Sequence, residues 1–216
     1  MADLALVIGN KKYSSWSMRP WLVLKHLGAP FDEIPIALYQ GDKTRRDILT
    51  HCPSGKVPAL KHGELLVWDS LAISEYLAEL FPNAGLWPHD SAARAVARSV
   101  SAEMHSGFQA LRNHYPMDIL AERRKASTPD VDVDIARIRG IWRTARERFG
   151  EGGKFLFGAF TIADAMYAPV VGRFRTYGVM LEGDEVAYAQ AIWDLPAVRE
   201  WLDGARAETF TNPAYD

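Results

Sequence analysis

The stretch that decides the fold is Tyr13-Ser14-Ser15-Trp16-Ser17-Met18-Arg19-Pro20-Trp21. It stands between an apolar strand candidate, Leu4 to Ile8, and a helical run that ends near Leu27. Hydroxyl groups at a strand-to-helix turn lie where the first helical N–H groups lack partners and the helix dipole is positive. Such a turn can hold an anion, including a thiolate. The alternative is that these serines only cap the helix.

Composition sets the broad class. The 216 residues fit one large domain or two small ones, and 48% hydrophobic with 24% charged residues is typical of a globular protein. The 25 basic and 27 acidic residues give a net charge of -2. That balance argues against nucleic acid or an anionic membrane as a partner and favours a small-molecule substrate.

Cysteine content and apolar runs indicate the compartment. The single cysteine, Cys52, cannot form an internal disulfide. The first residues lack the basic end and long apolar region of a signal peptide, and no apolar run is long enough to span a bilayer. We therefore expect a cytoplasmic protein.

The first eighty residues alternate between strand and helix patterns. The order β-α-β-α-β-β-α predicts a mixed sheet with helices on its faces. The predicted elements are Leu4 to Ile8, Ser17 to His26, Phe31 to Ile36, Lys43 to His51, Ala59 to Lys61, Leu65 to Trp68 and Ser70 to Phe81.

The pattern changes after a linker, Phe81-Pro82-Asn83-Ala84-Gly85, that ends at Trp87-Pro88. Only helical patterns follow, so we expect two domains, residues 1–82 and an all-helical domain over 88–216. The predicted helices are Ala92 to Asn113, Val131 to Phe149, Thr161 to Val179, Glu185 to Trp193 and Pro196 to Glu208.

Two further segments could carry chemistry. Pro58 in Lys56-Val57-Pro58-Ala59-Leu60 stands at the mouth of a strand, and a cis bond there would leave the Val57 backbone free to pair with an extended peptide ligand. Asp69 and Ser70 lie where a strand ends and a helix begins. They either cap that helix or hold an amino-acid head group, Ser70 its carboxylate and Asp69 its ammonium.

Together, these segments resemble the glutathione transferase superfamily over essentially the whole chain. The resemblance rests on Ser14-Ser15-Trp16-Ser17-Met18-Arg19, Lys56 to Leu60, Asp69-Ser70-Leu71-Ala72-Ile73 and Thr161-Ile162-Ala163-Asp164, which looks like the family's helix-initiating capping box. It implies an α/β thioredoxin-like N-terminal domain (βαβαββα) that binds glutathione, plus an all-α C-terminal domain that contributes the electrophile pocket.

The first motif looks most like the zeta class, whose pattern has Cys where this chain has Trp16. The resemblance implies a serine hydroxyl that favours the glutathione thiolate: Ser14 matches the zeta-type position and is preferred, and Ser15 matches theta-class relatives. The implied glutathione-binding residues are Trp16, Lys56, Val57, Pro58, Asp69 and Ser70, with Asp69 departing from the usual Glu or Gln.

The resemblance places the electrophile pocket between the first helix and the second domain. The candidates are Met18, Met104, His105, Phe108, Arg112 and Tyr115. The implied activity is attack of glutathione on a small electrophile, with glutathione as co-substrate, no other cofactor, and a homodimeric assembly. The six histidines show no metal-ligand spacing, so no metal site is expected.

Two other functions remain open. One is a zeta-like cis/trans isomerase of maleylacetoacetate type, which requires a cationic pocket from Arg112, Arg173 or Arg175. The arginine that zeta-class isomerases carry in this helix falls on Thr176 here. The other is a glutathione-binding or ligand-binding protein with little catalysis.

Overall fold

Four short strands form one mixed sheet in the computed structural model, which describes residues 3–210 and 212. The strand order is β2-β1-β3-β4. β1 (Leu4–Gly9) is parallel to β2 (Asp32–Ile36), whereas β3 (Ala59–His62) is antiparallel to both β1 and β4 (Leu65–Trp68).

Three helices cover the two faces of this sheet: α1 (Ser15–Leu27), α2 (Asp42–Leu49) and α3 (Ser70–Leu80). Alternation along β1 divides its side chains between two apolar clusters, as the period of a strand requires. Leu6 and Ile8 join the large cluster that contains residues of α1 and α3, and Val7 joins a smaller one beside α2. The predicted order of elements is confirmed.

The second half of the chain is helical. Its elements are α4 (Ser91–Ser106), α5 (Gln109–His114), α6 (Pro129–Phe149), α7 (Ile162–Tyr177), α8 (Asp184–Trp193) and α9 (Pro196–Ala207). The large apolar cluster runs from the sheet through α1 into these helices, and the rings of Trp21 and Trp201 meet edge to face with centroids 5.1 Å apart. The two halves therefore share one continuous core.

The prediction of a single helix from Ala92 to Asn113 is wrong. The helix ends at Ser106, and Phe108 adopts a left-handed backbone conformation with φ 60° before α5 begins. Gly107 has a weak helix propensity, which favours a break at this point. The break lets the Arg112 guanidinium turn back and donate to the carbonyl oxygens of Gly107 (2.9 Å from Nε) and Met104.

The start of α7 carries the expected capping arrangement. The Asp164 carboxylate accepts from the backbone N–H of Thr161 at 2.8 Å and from its hydroxyl at 3.0 Å. A short acidic side chain thus satisfies donors that the helix terminus leaves open. Within the described part of the chain, no helix has the length and apolar character needed to cross a bilayer.

Candidate glutathione site and arginine cluster

The N-terminal turn of α1 is held by serines. Ser14 precedes the helix, and its Oγ accepts from the Ser17 backbone N–H at 3.3 Å and donates to the Ser17 hydroxyl at 2.8 Å. The Ser17 hydroxyl oxygen also accepts from the Gly9 N–H at 3.0 Å. Both Ser14 and Ser15 are buried. The helix-capping interpretation of Ser14 is therefore correct, and it leaves a chemical role open.

Ser15 has a different partner, on the opposite half of the molecule. Its Oγ accepts from Nη2 of Arg173 at 3.3 Å, while Nε of that arginine donates to the Tyr115 carbonyl at 2.9 Å. Arg173 lies on α7 and is buried. The helical half thus reaches the first turn of α1 with a positive charge.

A cleft of about 710 Å³ opens beside this turn. It brings together every residue that the sequence predicted to bind glutathione: Trp16, Lys56, Val57, Pro58, Asp69 and Ser70. Five other residues complete the wall: Ile48, Ser54, Gly55, Trp68 and His105. Ser14 and Ser15 lie in the adjoining turn and are not part of this wall.

One wall of the cleft offers a backbone edge and a cation. The Val57-Pro58 peptide bond is cis. Within residues 3–210, neither the Val57 N–H nor its carbonyl has a hydrogen-bond partner, and the exposed Lys56 ammonium forms no ion pair. These groups are available to an extended ligand that carries a carboxylate.

The opposite wall combines Asp69, Ser70 and His105. Asp69 has φ 78°, and its Oδ1 accepts from the N–H groups of Leu71 at 2.9 Å and Ala72 at 3.3 Å. Its Oδ2 lies 3.1 Å from Nε2 of His105, which comes from α4. The Ser70 hydroxyl is buried and has no partner in the described residues, so it has hydrogen-bonding capacity left for a ligand.

Trp16 connects the cleft to a group of cationic side chains. The guanidinium carbons of Arg19 and Arg112 lie 4.3 Å and 4.7 Å from its ring centre, and the His105 ring meets it edge to face at 5.3 Å. Cations over an indole ring are attracted by its quadrupole. We call Arg19, Arg112 and Arg173 the arginine cluster.

Burial and mutual repulsion weaken the charged forms in this region. Burial lowers the pKa of Arg19 well below its usual range, and the charges of Arg112 and Arg173 lower it further. Burial is also the main reason that the pKa of Arg112 falls. For His105, burial lowers the pKa, Asp69 opposes that change, and Arg19 and Arg112 add to it. The net change favours the neutral form of the His105 ring.

Of the six candidates for the electrophile pocket, His105 lines this cleft, Arg112 lies over Trp16, and Met104 is fully buried. The other three are buried away from the cleft. Met18 is fully buried in the core, and Phe108 is buried at the break between α4 and α5. Tyr115 is stacked on Tyr177 with ring centres 4.2 Å apart, and its hydroxyl donates to the Lys125 carbonyl. None of the three lines the cleft, because each is buried by packing, Met18 on α1 and the other two at the ends of α5.

Arg175, the other cationic candidate, also lies elsewhere. Its guanidinium carbon is 4.5 Å from the Trp193 ring centre, and the residue lines a different cavity. Arg19 was the residue that sequence reasoning missed, since it entered only as part of a motif. The available signal was its spacing: Trp16 and Arg19 are three residues apart, which places them on the same helix face.

Comparison with known proteins identifies the family. Residues 13–80 match the family model described as glutathione S-transferase, N-terminal domain, and residues 95–204 match glutathione S-transferase, C-terminal domain. The chain belongs to the glutathione S-transferase family. The predicted superfamily, the two-part fold and the enzyme class are confirmed.

Named relatives are consistent with this membership. The chain is 31% identical over 162 residues to a zeta-class glutathione S-transferase of Euphorbia esula, covering 73% of this chain and 71% of that one. It is 39% identical over 101 residues to maleylacetoacetate isomerase of Rattus norvegicus, covering 46% of each.

A solved structure matches the fold over nearly the full length. It is a glutathione transferase homolog from Burkholderia with bound glutathione, with a TM-score of 0.72, 22% identity, and coverage of 95% of this chain and 100% of that one. Across residues 3–210 and 212, no group of three or more histidine, cysteine or acidic side chains is arranged to hold a metal ion.

Proposed function

We propose that this family member binds glutathione in the cleft and activates its thiol for attack on a small electrophile. The carrying observation is the convergence of Lys56, the Val57 backbone, Asp69 and Ser70 on one cleft beside the N-terminus of α1. Lys56 would hold the glycine carboxylate, Val57 the cysteinyl backbone, and Asp69 with Ser70 the γ-glutamyl group. That placement directs the sulfur toward the serine turn.

Ser14 is the proposed thiolate donor. Its proton points to the Ser17 hydroxyl. Hydroxyl hydrogens rotate to suit their partners, so the Ser14–Ser17 bond can reverse without movement of heavy atoms. Ser17 then donates to Ser14, and Ser14 donates to sulfur at the positive end of α1. A hydrogen bond to the charged form and the helix dipole both lower a thiol pKa.

Replacement of the serines tests this assignment. Loss of one charge-assisted hydrogen bond costs on the order of 1.5 to 3 kcal/mol. Ser14→Ala should therefore reduce kcat with a chlorinated nitroaromatic tenfold or more, while the Kd for glutathione stays nearly unchanged. Ser15→Ala, purified and assayed in parallel, tests the alternative in which Ser15 is the donor. If Ser14→Ala turns over at the wild-type rate, the assignment to Ser14 is wrong.

A second candidate function is the isomerisation of maleyl-type diacids. The identity to the rat isomerase favours it, and so does the position of Arg112 and Arg173 near the serine turn, where they could hold a carboxylate. Assays with maleyl-type diacids separate the candidates. Diacids that neither react nor inhibit would remove the isomerase from consideration.

A third candidate, a glutathione-binding protein without catalysis, shares the same cleft residues. It differs in one property, because simple binding does not require the thiol to ionise. The enzyme lowers the pKa of the bound thiol, whereas the binding protein leaves it at the value for free glutathione.

We further propose a homodimer. Trp68 on the edge strand β4 is 48% exposed, and Ala92 and Ala95 on α4 are exposed as well. In the two-fold dimer that the family resemblance implies, the second subunit would cover these apolar side chains. Light scattering at micromolar concentration should give twice the 24.2 kDa chain mass. A mass near 24.2 kDa with full activity would contradict a dimeric active unit.

A further inference from the structure

Three arginines lie at the boundary between the two halves of the molecule, each from a different helix. Arg19 comes from α1, Arg112 from α5 and Arg173 from α7. Arg19 is 0% exposed, and Arg173 is buried. Charged side chains are rarely buried unless an opposite charge or hydrogen bonds compensate them.

Arg19 lacks that compensation. None of its three guanidinium nitrogens has a hydrogen-bond partner in the described residues. The positive charges of Arg112 and Arg173 repel it. The nearest compensation comes from the face of Trp16 and from the charge of Asp69. Asp69 is itself 44% exposed and is engaged by His105 and the start of α3. A buried cation without a hydrogen-bonded partner is strongly unfavourable.

The location of the cluster indicates what would compensate it. Arg173 donates to Ser15, and Arg19 and Arg112 lie over Trp16, so all three surround the first turn of α1. The dipole of α1 places further positive potential at the same point. In this low-dielectric region, an anion that arrives at the turn interacts strongly with the cluster.

We propose that the arginine cluster is the electrostatic counter-charge of the glutathione thiolate, with Arg173 as a positioning residue for Ser15. Because Arg173 donates to Ser15 Oγ, the Ser15 proton is directed away from the guanidinium and is available to a second acceptor. The helical half thereby takes part in ionising the thiol. The inference rests on the proposed binding of glutathione in the cleft.

The cluster could instead serve a different anion, a carboxylate of the second substrate. The two sources require positive charge at different stages. A thiolate needs the cluster in the complex with glutathione alone, whereas a substrate carboxylate needs it only when that substrate binds. Measurements on the binary complex therefore distinguish them.

The experiment is a pH titration of thiolate absorbance in the binary glutathione complex. The variants are Arg173→Gln, which removes the charge and the Ser15 contact, Arg173→Lys, which keeps the charge, and Arg19→Met, which removes a charge that makes no hydrogen bond. Arg175→Gln, two residues along the same helix and facing another cavity, is the matched control. Circular dichroism verifies the fold, and Arg112→Gln replaces any variant that does not fold.

We expect Arg173→Gln and Arg19→Met each to raise the pKa of the bound thiol by about one unit, as loss of a nearby opposite charge does. Arg173→Lys should raise it less, and Arg175→Gln should not change it. An unchanged thiol pKa in Arg173→Gln and Arg19→Met overturns the proposal. If only the KM for carboxylate-bearing electrophiles rises, the cluster serves the second substrate.

The titration of wild-type protein tests the proposed function separately from the role of the arginine cluster. If wild-type protein binds glutathione and lowers its thiol pKa, the proposed function stands whatever the arginine variants do. If wild-type protein fails to bind glutathione, the proposed function fails first.

Discussion

The two sides of the candidate site are built differently. The cleft wall proposed to bind glutathione comes mainly from short contiguous segments of the first domain, and its groups are partly exposed: Lys56, the Val57 backbone and Asp69. The arginine cluster is assembled from three helices and lies largely out of solvent. Exposed groups can bind a ligand at little cost to the free energy of folding. Buried charges destabilise the fold, but they interact strongly with an opposite charge that reaches them. We propose that the exposed side binds glutathione and that the buried side ionises its thiol.

The largest effect should come from removing the buried charge of Arg19. Arg19→Met should increase the free energy of unfolding by about 1 to 4 kcal/mol, the range found when buried ionic groups are replaced by apolar side chains of similar volume. Urea unfolding of the protein without glutathione measures it. Arg175→Met, an exposed arginine on the same helix as Arg173, should change stability little. A lower free energy of unfolding in the Arg19→Met variant would show that the charge of Arg19 stabilises the fold.

A smaller effect is expected on the recognition side. Lys56→Ala should raise the Kd for glutathione about fivefold, because an exposed ion pair contributes up to about 1 kcal/mol. kcat at saturating glutathione should stay the same. The difference in Kd should shrink at high salt, which screens exposed charges. Lys43→Ala, at an exposed lysine outside the cleft, is the control, and calorimetry gives both Kd values. A lower kcat with unchanged Kd would contradict the division between the two sides.

The smallest expected effect is the contribution of His105 to the pH dependence of stability. Its pKa in the folded protein is lowered by burial, so folding favours the neutral ring. As pH falls below about 6.5, the unfolded chain takes up this proton first, and stability declines until the pH has passed through the lower folded pKa. His105→Gln should therefore flatten the loss of thermal stability between neutral and mildly acidic pH. His89→Gln, at an exposed position, should not. Equal slopes in all three proteins would show that His105 does not contribute.

The sequence predicts the parts of this site that are local. Lys56-Val57-Pro58 and Asp69-Ser70 lie at the ends of strands, and their position along the chain is enough to bring them to one edge of the sheet. The order of elements and the capping of α7 by Asp164 depend on neighbouring residues in the same way. Such features follow from the periodicity of apolar residues, from turn-forming residues and from helix-capping residues.

The parts that sequence did not predict are tertiary. The end of α4 at Ser106 depends on Phe108 taking a left-handed conformation, which its residue type does not favour. The contact of His105 with Asp69 needs the packing of α3 against α4, and the approach of Arg173 to the first turn of α1 needs the packing of α1 against α7. Met18 and Tyr115 carry side chains typical of a pocket, but both are buried in the large apolar cluster. Residue type alone cannot distinguish these outcomes.

We propose that the cleft binds glutathione and that the turn of α1 ionises its thiol. The most direct test is a pH titration of thiolate absorbance in wild-type protein saturated with glutathione, beside free glutathione under the same conditions. We expect the pKa of the bound thiol to lie clearly below that of free glutathione, so that thiolate is present at neutral pH. A bound thiol that titrates at the same pH as free glutathione would contradict it.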